Sequence, residues 1–325
     1  MTKKLSLDDA RALAVAFLVR QDMPEDHAGM VADHLIYATL AGHTFAGFSR
    51  LLPLAERLRE LRTGGTIRTL RETDKSAVID GAGVNGYVTS VIAMDKAIAL
   101  ARKSGVGIVA LSNSWFSGML RYYVERAANA DLIGMHAANT TARVAPYGGI
   151  DRLLGTNPMA FAFPATGSPL VVDFSTASMT WGDVIYHQQT GKRLPEGRAV
   201  DAAGHPTLDP VAALAGAILA WGGPRGSGVS VLVQALGILG GSDPIIGDTG
   251  KWGYFFMAID PGLLLPLDDF KQRIGSMRES IESSRPAPDG APVRVPGSSS
   301  QRNLDEGRAR GWIEVDDEIH QALLP

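Results

Sequence analysis

The chain has 325 residues, 45% hydrophobic and 20% charged, which is enough apolar content for a full core and too much for general disorder. Lys and Arg total 31 against 34 Asp and Glu, so the formal charge is −3, without the basic excess of a nucleic-acid binder. There are no cysteines, which excludes disulfides, thiolate nucleophiles, iron–sulfur clusters and Cys-type zinc sites together.

The length predicts at most two domains. The N-terminus, MTKKLSLDDARALA, has no uninterrupted apolar stretch, so no signal peptide is expected. Residues 6–20 place Leu7, Ala10, Leu13, Ala14, Phe17 and Leu18 at helical spacing, with Ser6 and Asp9 set as a capping box. A second helix starts at Pro24 and buries Ala28, Val31, Ala32, Leu35, Ile36 and Leu40. A third covers 48–62 and stops before Gly64-Gly65, so the first 63 residues read as a helical layer. Next come a strand at 76–80, a glycine turn, a helix at 87–103 and a buried strand at 106–111. A helix at 117–129 leads to strands at 132–138, 159–163 and 169–174, then to a helix at 209–220. The apolar run 229–239 is far below the roughly 20 residues of a membrane span, so a soluble, cytoplasmic protein is expected. A helix at 267–283, a Pro/Gly/Ser-rich loop at 284–300 and a helix at 316–324 close the chain. The seven histidines form no HxxxH or HExxH pair, and no metal site is expected.

Gly81-Ala82-Gly83-Val84-Asn85-Gly86 fits GxGxxG between a strand and a helix. A dinucleotide-binding turn of that kind also needs an acidic residue about 20 positions on. Here the next strand ends in Ser112, Asn113 and Ser114, so the pattern reads as a tight turn. Other segments place small residues and hydroxyls where backbone N–H groups stay free to hold phosphates. They are Gly42 to Arg50, Asn113 to Gly118, Leu154 to Pro158, Asp173 to Ala177 and Gly222 to Gly228.

In this order they resemble the type 2 malate/L-lactate dehydrogenase family, which includes ureidoglycolate dehydrogenase, diketogulonate reductase, sulfolactate dehydrogenase and Δ1-piperideine-2-carboxylate reductase. The resemblance runs nearly end to end through VAPYGG (144–149), LLGTNPMAFAFPA (153–165), LVVDFSTAS (170–178), LPEGRAVDAAGHPTLDP (194–210), GGPRGSG (222–228) and FFMAIDPG (255–262). It implies an α/β, non-Rossmann fold of the malate/L-lactate dehydrogenase type 2 (sulfolactate dehydrogenase-like) kind with an N-terminal helical layer. It also implies an NAD or NADP cofactor and a homodimer. The expected division is 1–110 and 246–325 in a substrate part and 111–245 in a cofactor-binding part.

The chain departs from the family where the acid/base histidines belong. In a signature like G-H-x-S-H-G-x-x-R the second histidine is Ala46 and the preceding serine is Phe45; in one like N-S-N-H-F-G the histidine is Phe116. The family's G-G-H-K-G is Gly222-Gly223-Pro224-Arg225-Gly226, and the tyrosine four after its arginine is Leu54. Alanine, phenylalanine and leucine cannot donate a proton, and loss of such a group typically costs 10²–10⁴-fold. An apolar, aromatic pocket from Phe45, Ala46, Phe48, Trp115, Phe116 and Trp181 is expected instead.

Arg50 matches the family arginine and suits a two-point carboxylate contact, or else a surface ion pair. Asp183 matches a family acidic position, or else caps a helix. His43 is a catalytic candidate or a loop residue; His187 and Tyr186 are replacement proton donors or core residues. Asn139, Pro146, Thr156, Asn157, Asp173, Ser175 and Thr176 match the cofactor side, and Arg225 there reads as a phosphate contact or a solvated loop. The functional expectation is an NAD(P)H-dependent reductase of a C=N bond, such as a cyclic imino acid, or of an unusual carbonyl. A protonated iminium brings its own proton. The alternatives are a 2-hydroxy acid dehydrogenase with a displaced base, and a cofactor-binding member with non-redox or lost activity.

Overall fold

The computed structural model describes residues 2–43, 46–61, 65–248, 250–288 and 290–325. The chain opens with β1 (Thr2–Ser6), α1 (Leu7–Val19), α2 (Glu25–Leu40) and α3 (Leu51–Leu61). The Ser6 hydroxyl caps α1 by accepting the Asp9 N–H at 3.0 Å. Next are β2 (Arg68–Glu72), β3 (Ser76–Asp80), α4 (Gly86–Ser104), β4 (Val106–Ser114), α5 (Arg121–Asn129) and β5 (Ile133–Ala138). The middle continues through β6 (Val144–Ala145), β7 (Met159–Phe163), β8 (Leu170–Phe174), α6 (Trp181–Gln189), β9 (Ala199–Val200), α7 (Pro210–Ala215), β10 (Ala217–Leu219) and α8 (Pro224–Leu239). It ends with β11 (Trp252–Ile259), α9 (Leu267–Glu282), α10 (Ser298–Arg310), β12 (Trp312–Asp316) and α11 (Asp317–Leu323).

Seven strands form one sheet in the order β2-β3-β4-β11-β5-β7-β8. Only β3 and β4 run parallel; every other neighbouring pair is antiparallel. This is not the parallel sheet on which a Rossmann turn works. Helices α4 and α5 cover one face, burying Met94, Val109, Leu111, Tyr123 and Phe256. Helix α8 covers the other, with Val233 against Met135, Met159 and Phe255. The N-terminal helices form a separate layer against α4 around Leu18, Leu35, Leu51 and Tyr87. Strands β6, β10 and β9 make a small sheet beside the large one.

The large sheet draws strands from all three expected segments. Strand β4 runs across residue 110, and β11, from beyond residue 246, lies at the centre. The helix expected at 209–220 is α7 followed by β10, because Gly216 turns the chain out of helix at φ −94° and ψ −131°. The helix expected from 117 starts at Arg121, since Gly118 has φ +67°. The loop expected to run to 300 gives way to α10 at Ser298. Its sequence, SSSQRNLDEGRAR, buries only Leu304 and Gly307 and shows no apolar stripe.

Candidate active site

The strand directions bring the candidate segments to one edge of the large sheet. The ends of β3, β4, β5 and β8 and the starts of β7 and β11 all lie there. That edge carries Gly81 to Gly86, Asn113 to Phe116, Asn139 to Thr141, Thr156 to Pro158, Asp173 to Thr176, and Lys251.

A cavity of about 600 Å³ opens at the end of β4, lined by Arg50, Tyr87, Asn113, Trp115, Phe116, Lys251 and Trp252 among others. The Arg50 guanidinium lies 4.2 Å from the centroid of the Phe116 ring, a cation–π stack. The Trp115 indole N–H donates to the Gly83 carbonyl at 2.8 Å. Phe116 has φ +56° and Asn113 φ +55°. A bulky residue in the left-handed region is strained, and such strain gathers at functional sites. No histidine of the described residues lines this cavity. The glycine turn has structural work: a Cβ on Gly86 would lie 2.8 Å from the Ser117 Cα, and the Asp80 carboxylate accepts the Ala82 N–H and an Asn113 amide hydrogen.

Arg50, Trp115 and Phe116 therefore meet as expected, while the other catalytic candidates do not join them. Phe45 lies outside the described residues. Ala46 is half-buried on the following turn, its N–H donating to the His43 carbonyl. Phe48 is 2% exposed and belongs to the N-terminal core, not to a pocket wall. His43 sits 3.3 Å from the Ser300 hydroxyl of α10, and desolvation together with Arg121 lowers its pKa. Asp183 is a helix cap: its carboxylate accepts the Thr180 N–H while the Thr180 hydroxyl accepts the Asp183 N–H. His187 Nδ1 lies 2.8 Å from the Asp183 carbonyl, and neither residue lines the Arg50 cavity. Trp181 is held between Arg143 and Arg152 and does not line the cavity. Arg143 in turn pairs with Asp248 on the cavity rim.

The cofactor candidates divide into braces and an open cleft. Asn157 is fully buried: its amide donates to the Ser230 carbonyl and hydroxyl and to Gln234, and its oxygen accepts the Thr140 N–H. Asn139, equally buried, donates to the Ser242 hydroxyl and accepts the Gly253 N–H. The Thr156 carbonyl accepts the hydroxyls of Ser175 and Thr176. These side chains hold turns in shape and leave little to offer a ligand. The Asp173 carboxylate accepts the Arg121 N–H at 2.8 Å, and burial pushes its pKa up to about 6.

Pro146, by contrast, lines a cleft of about 370 Å³ with Tyr147, Ser178, Arg198, Gly222 and Gly223. Both glycines have positive φ, +60° and +61°, and lead into α8. Arg225 stands exposed on the first turn of that helix. An anion finds backbone N–H groups, a helix N-terminus and Arg198 there, while Tyr147 and Trp221 offer faces for a ring. This donor set fits a nicotinamide nucleotide.

Three features escaped the sequence reading. The Tyr87 hydroxyl is buried at the cavity wall with no hydrogen-bond partner, and burial pushes its pKa up to about 12, against the pull of Arg50. Arg121, 2% exposed, donates to Tyr37, Glu125, Gln301 and the Gly297 carbonyl. His34 and His136 are fully buried, and desolvation drives both pKa values down to about 3. Arg121 reads in sequence as half of an ordinary i,i+4 helix pair with Glu125. Tyr87 reads as one apolar residue of a helix.

The model of the malate/L-lactate dehydrogenase family matches residues 5–324. The L-sulfolactate dehydrogenase of Methanocaldococcus jannaschii is 33% identical over 98% of this chain and 95% of its own length. The NAD(+)-dependent ureidoglycolate dehydrogenase of Escherichia coli K12 is 31% identical over 99% and 95%. The NADP(+)-dependent (2R)-3-sulfolactate dehydrogenase of Chromohalobacter salexigens is 36% identical over 73% and 72%. The solved sulfolactate dehydrogenase of M. jannaschii superposes with a TM-score of 0.89, at 32% identity over 99% and 95% of the two chains. The Δ1-piperideine-2-carboxylate reductase of Pseudomonas syringae pv. tomato gives 0.88, at 25% identity over 99% and 98%.

Proposed function

The chain belongs to the malate/L-lactate dehydrogenase family of oxidoreductases, and on that premise we propose that it is an NAD(P)H-dependent reductase of a carboxylate-bearing C=N substrate such as a cyclic imino acid. The observation that carries this reading is the Arg50 cavity: a guanidinium stacked on Phe116, aromatic walls, and no histidine among its described lining residues. Arg50 takes the substrate carboxylate. Trp115 and Phe116 orient the ring and keep water from it. An iminium already carries the proton that a ketone would need from an acid, so Ala46 and Phe116 in place of histidines are no obstacle.

Pro146, Tyr147, Arg198, the Gly222–Gly223 turn and Arg225 hold the NAD or NADP. When bound, the nicotinamide supplies hydride. We take the enzyme to work in the cytoplasm as a homodimer. Helix α8 turns Ser227, Ser230 and Gln234 inward and leaves Val231, Leu232 and Leu239 exposed, and a second copy of the chain covers that apolar face. Leu232→Glu with Leu239→Glu then yields a monomer by light scattering.

The test of function is cofactor oxidation, followed separately with NADH and NADPH, on cyclic imino acids and on oxaloacetate or pyruvate. Imino acids turned over faster than oxaloacetate or pyruvate support the reading, and 2-oxo acids turned over faster than every imino acid overturn it. Failure of calorimetry to detect either nucleotide would favour a member that has lost redox chemistry. A second reading, a dehydrogenase with a displaced base, draws support from one residue of the cavity wall, taken up next.

A further inference from the structure

We propose that the Tyr87 hydroxyl is the proton donor of the Arg50 cavity, placed to serve the oxygen of a 2-oxo acid where the histidines are missing. The inference rests on the reading that substrate is reduced in this cavity.

Three observations converge on Tyr87. It lines the cavity beside Arg50, Trp115 and Phe116, its ring centroid 6.0 Å from that of Phe116. Its hydroxyl is buried and makes no hydrogen bond within 3.5 Å, while the Arg50 guanidinium pulls on it from nearby. A buried hydroxyl left unmet is unfavourable, so a ligand oxygen that meets it gains affinity at this point. The surroundings also close on the ring deliberately. A Cβ on Gly118 would lie 2.4 Å from Tyr87 Cε1, so only glycine lets the Phe116–Gly118 turn fold over it.

The chemistry suits the position. Burial keeps Tyr87 protonated, while the positive Arg50 favours the phenolate once it forms. A neighbouring cation thereby lowers the barrier to giving the proton up. An alkoxide is far more basic than a phenolate, so transfer runs downhill. As the carbonyl carbon gains hydride from NAD(P)H, the C=O π pair moves onto oxygen. The new O–H bond forms as the Tyr87 O–H bond breaks. The substrate is reduced by two electrons, the cofactor is oxidised to NAD(P)⁺, and water returns a proton to the tyrosinate. An iminium substrate needs none of this, so the residue widens the range of substrates beyond C=N.

The test compares Tyr87→Phe with wild type on a 2-oxo acid and on a cyclic imino acid. The expected loss is 10²–10⁴-fold in kcat on the 2-oxo acid and under tenfold on the imino acid. Equal losses on both, or none on the 2-oxo acid, overturn the proposal. Two readouts do not need the loaded enzyme. Oxamate, an unreactive 2-oxo acid analogue, should bind the cofactor-free variant roughly threefold to tenfold more weakly by calorimetry; unchanged affinity overturns the contact. Removing an unmet hydroxyl should leave Tm unchanged or raise it, whereas a lower Tm would reveal a structural partner and also overturn the proposal. If wild type turns over neither substrate, the assignment of function fails on its own, and the oxamate titration still decides the role of Tyr87.

Discussion

Two arginine–tyrosine pairs sit along one edge of the same sheet, and they are built in opposite ways. At the end of β8, Arg121 is sealed: each arm has an acceptor, and its partner Tyr37 donates onward to Glu125. At the end of β4, Arg50 lies stacked on a strained Phe116 beside a tyrosine whose hydroxyl is unmet. The first arrangement fixes α5 against α2 and α10. The second leaves the Tyr87 hydroxyl at a cavity wall, where a ligand can use it. Satisfaction of polar groups, more than residue type, separates scaffold from site.

The largest effect should come from breaking the sealed pair. Arg121→Ala strands the buried Glu125 carboxylate and should cost about 3–5 kcal/mol in urea unfolding. If stability survives while turnover vanishes, Arg121 belongs to the site and the contrast collapses. Arg50→Ala should do the reverse: about 10²–10³-fold lower kcat/KM on a carboxylate substrate, with little change in Tm. A stability loss as large as that of Arg121→Ala would refute it. Asn157→Ala leaves the Thr140 N–H and the Gln234 side chain without their partner and should cost about 2–3 kcal/mol, again by urea unfolding. A variant that instead stays stable and fails to bind nucleotide would make Asn157 a ligand contact.

At neutral pH the smallest effect comes from two buried histidines, whose contribution changes only on acidification. His34 and His136 have folded-state pKa values near 3, below the unfolded value of about 6.5. Both are neutral in the fold, so their contribution is complete above pH 6.5 and is lost as pH falls through 6.5 toward 3. Each costs at most about 1.4 kcal/mol per pH unit. His136→Phe should make the acid limb of the Tm profile shallower. An unchanged limb would mean that other groups govern it.

Much of the fold was legible because periodicity and caps are local. Helices α1, α2, α4 and α9 and strands β3, β5, β7 and β8 lie within two or three residues of their expected bounds. Strands β1 and β2 were hidden because their residues are mostly exposed, and β12 because it is short and its partner β1 lies about 300 positions away. The Arg50–Phe116 contact was legible only through the family resemblance, since 66 positions separate the two residues. Tyr87 was not legible at all: what marks it is a missing hydrogen bond, and sequence carries no trace of an absence.

The pairing of Thr2–Ser6 with Trp312–Asp316 has one more consequence. A growing polypeptide emerging from the ribosome cannot pair β1 until residues 312–316 have been made. Helices α1 and α2 can pack on each other beforehand, but the backbone N–H and C=O groups of β1 stay unpaired until that later segment arrives to fasten them.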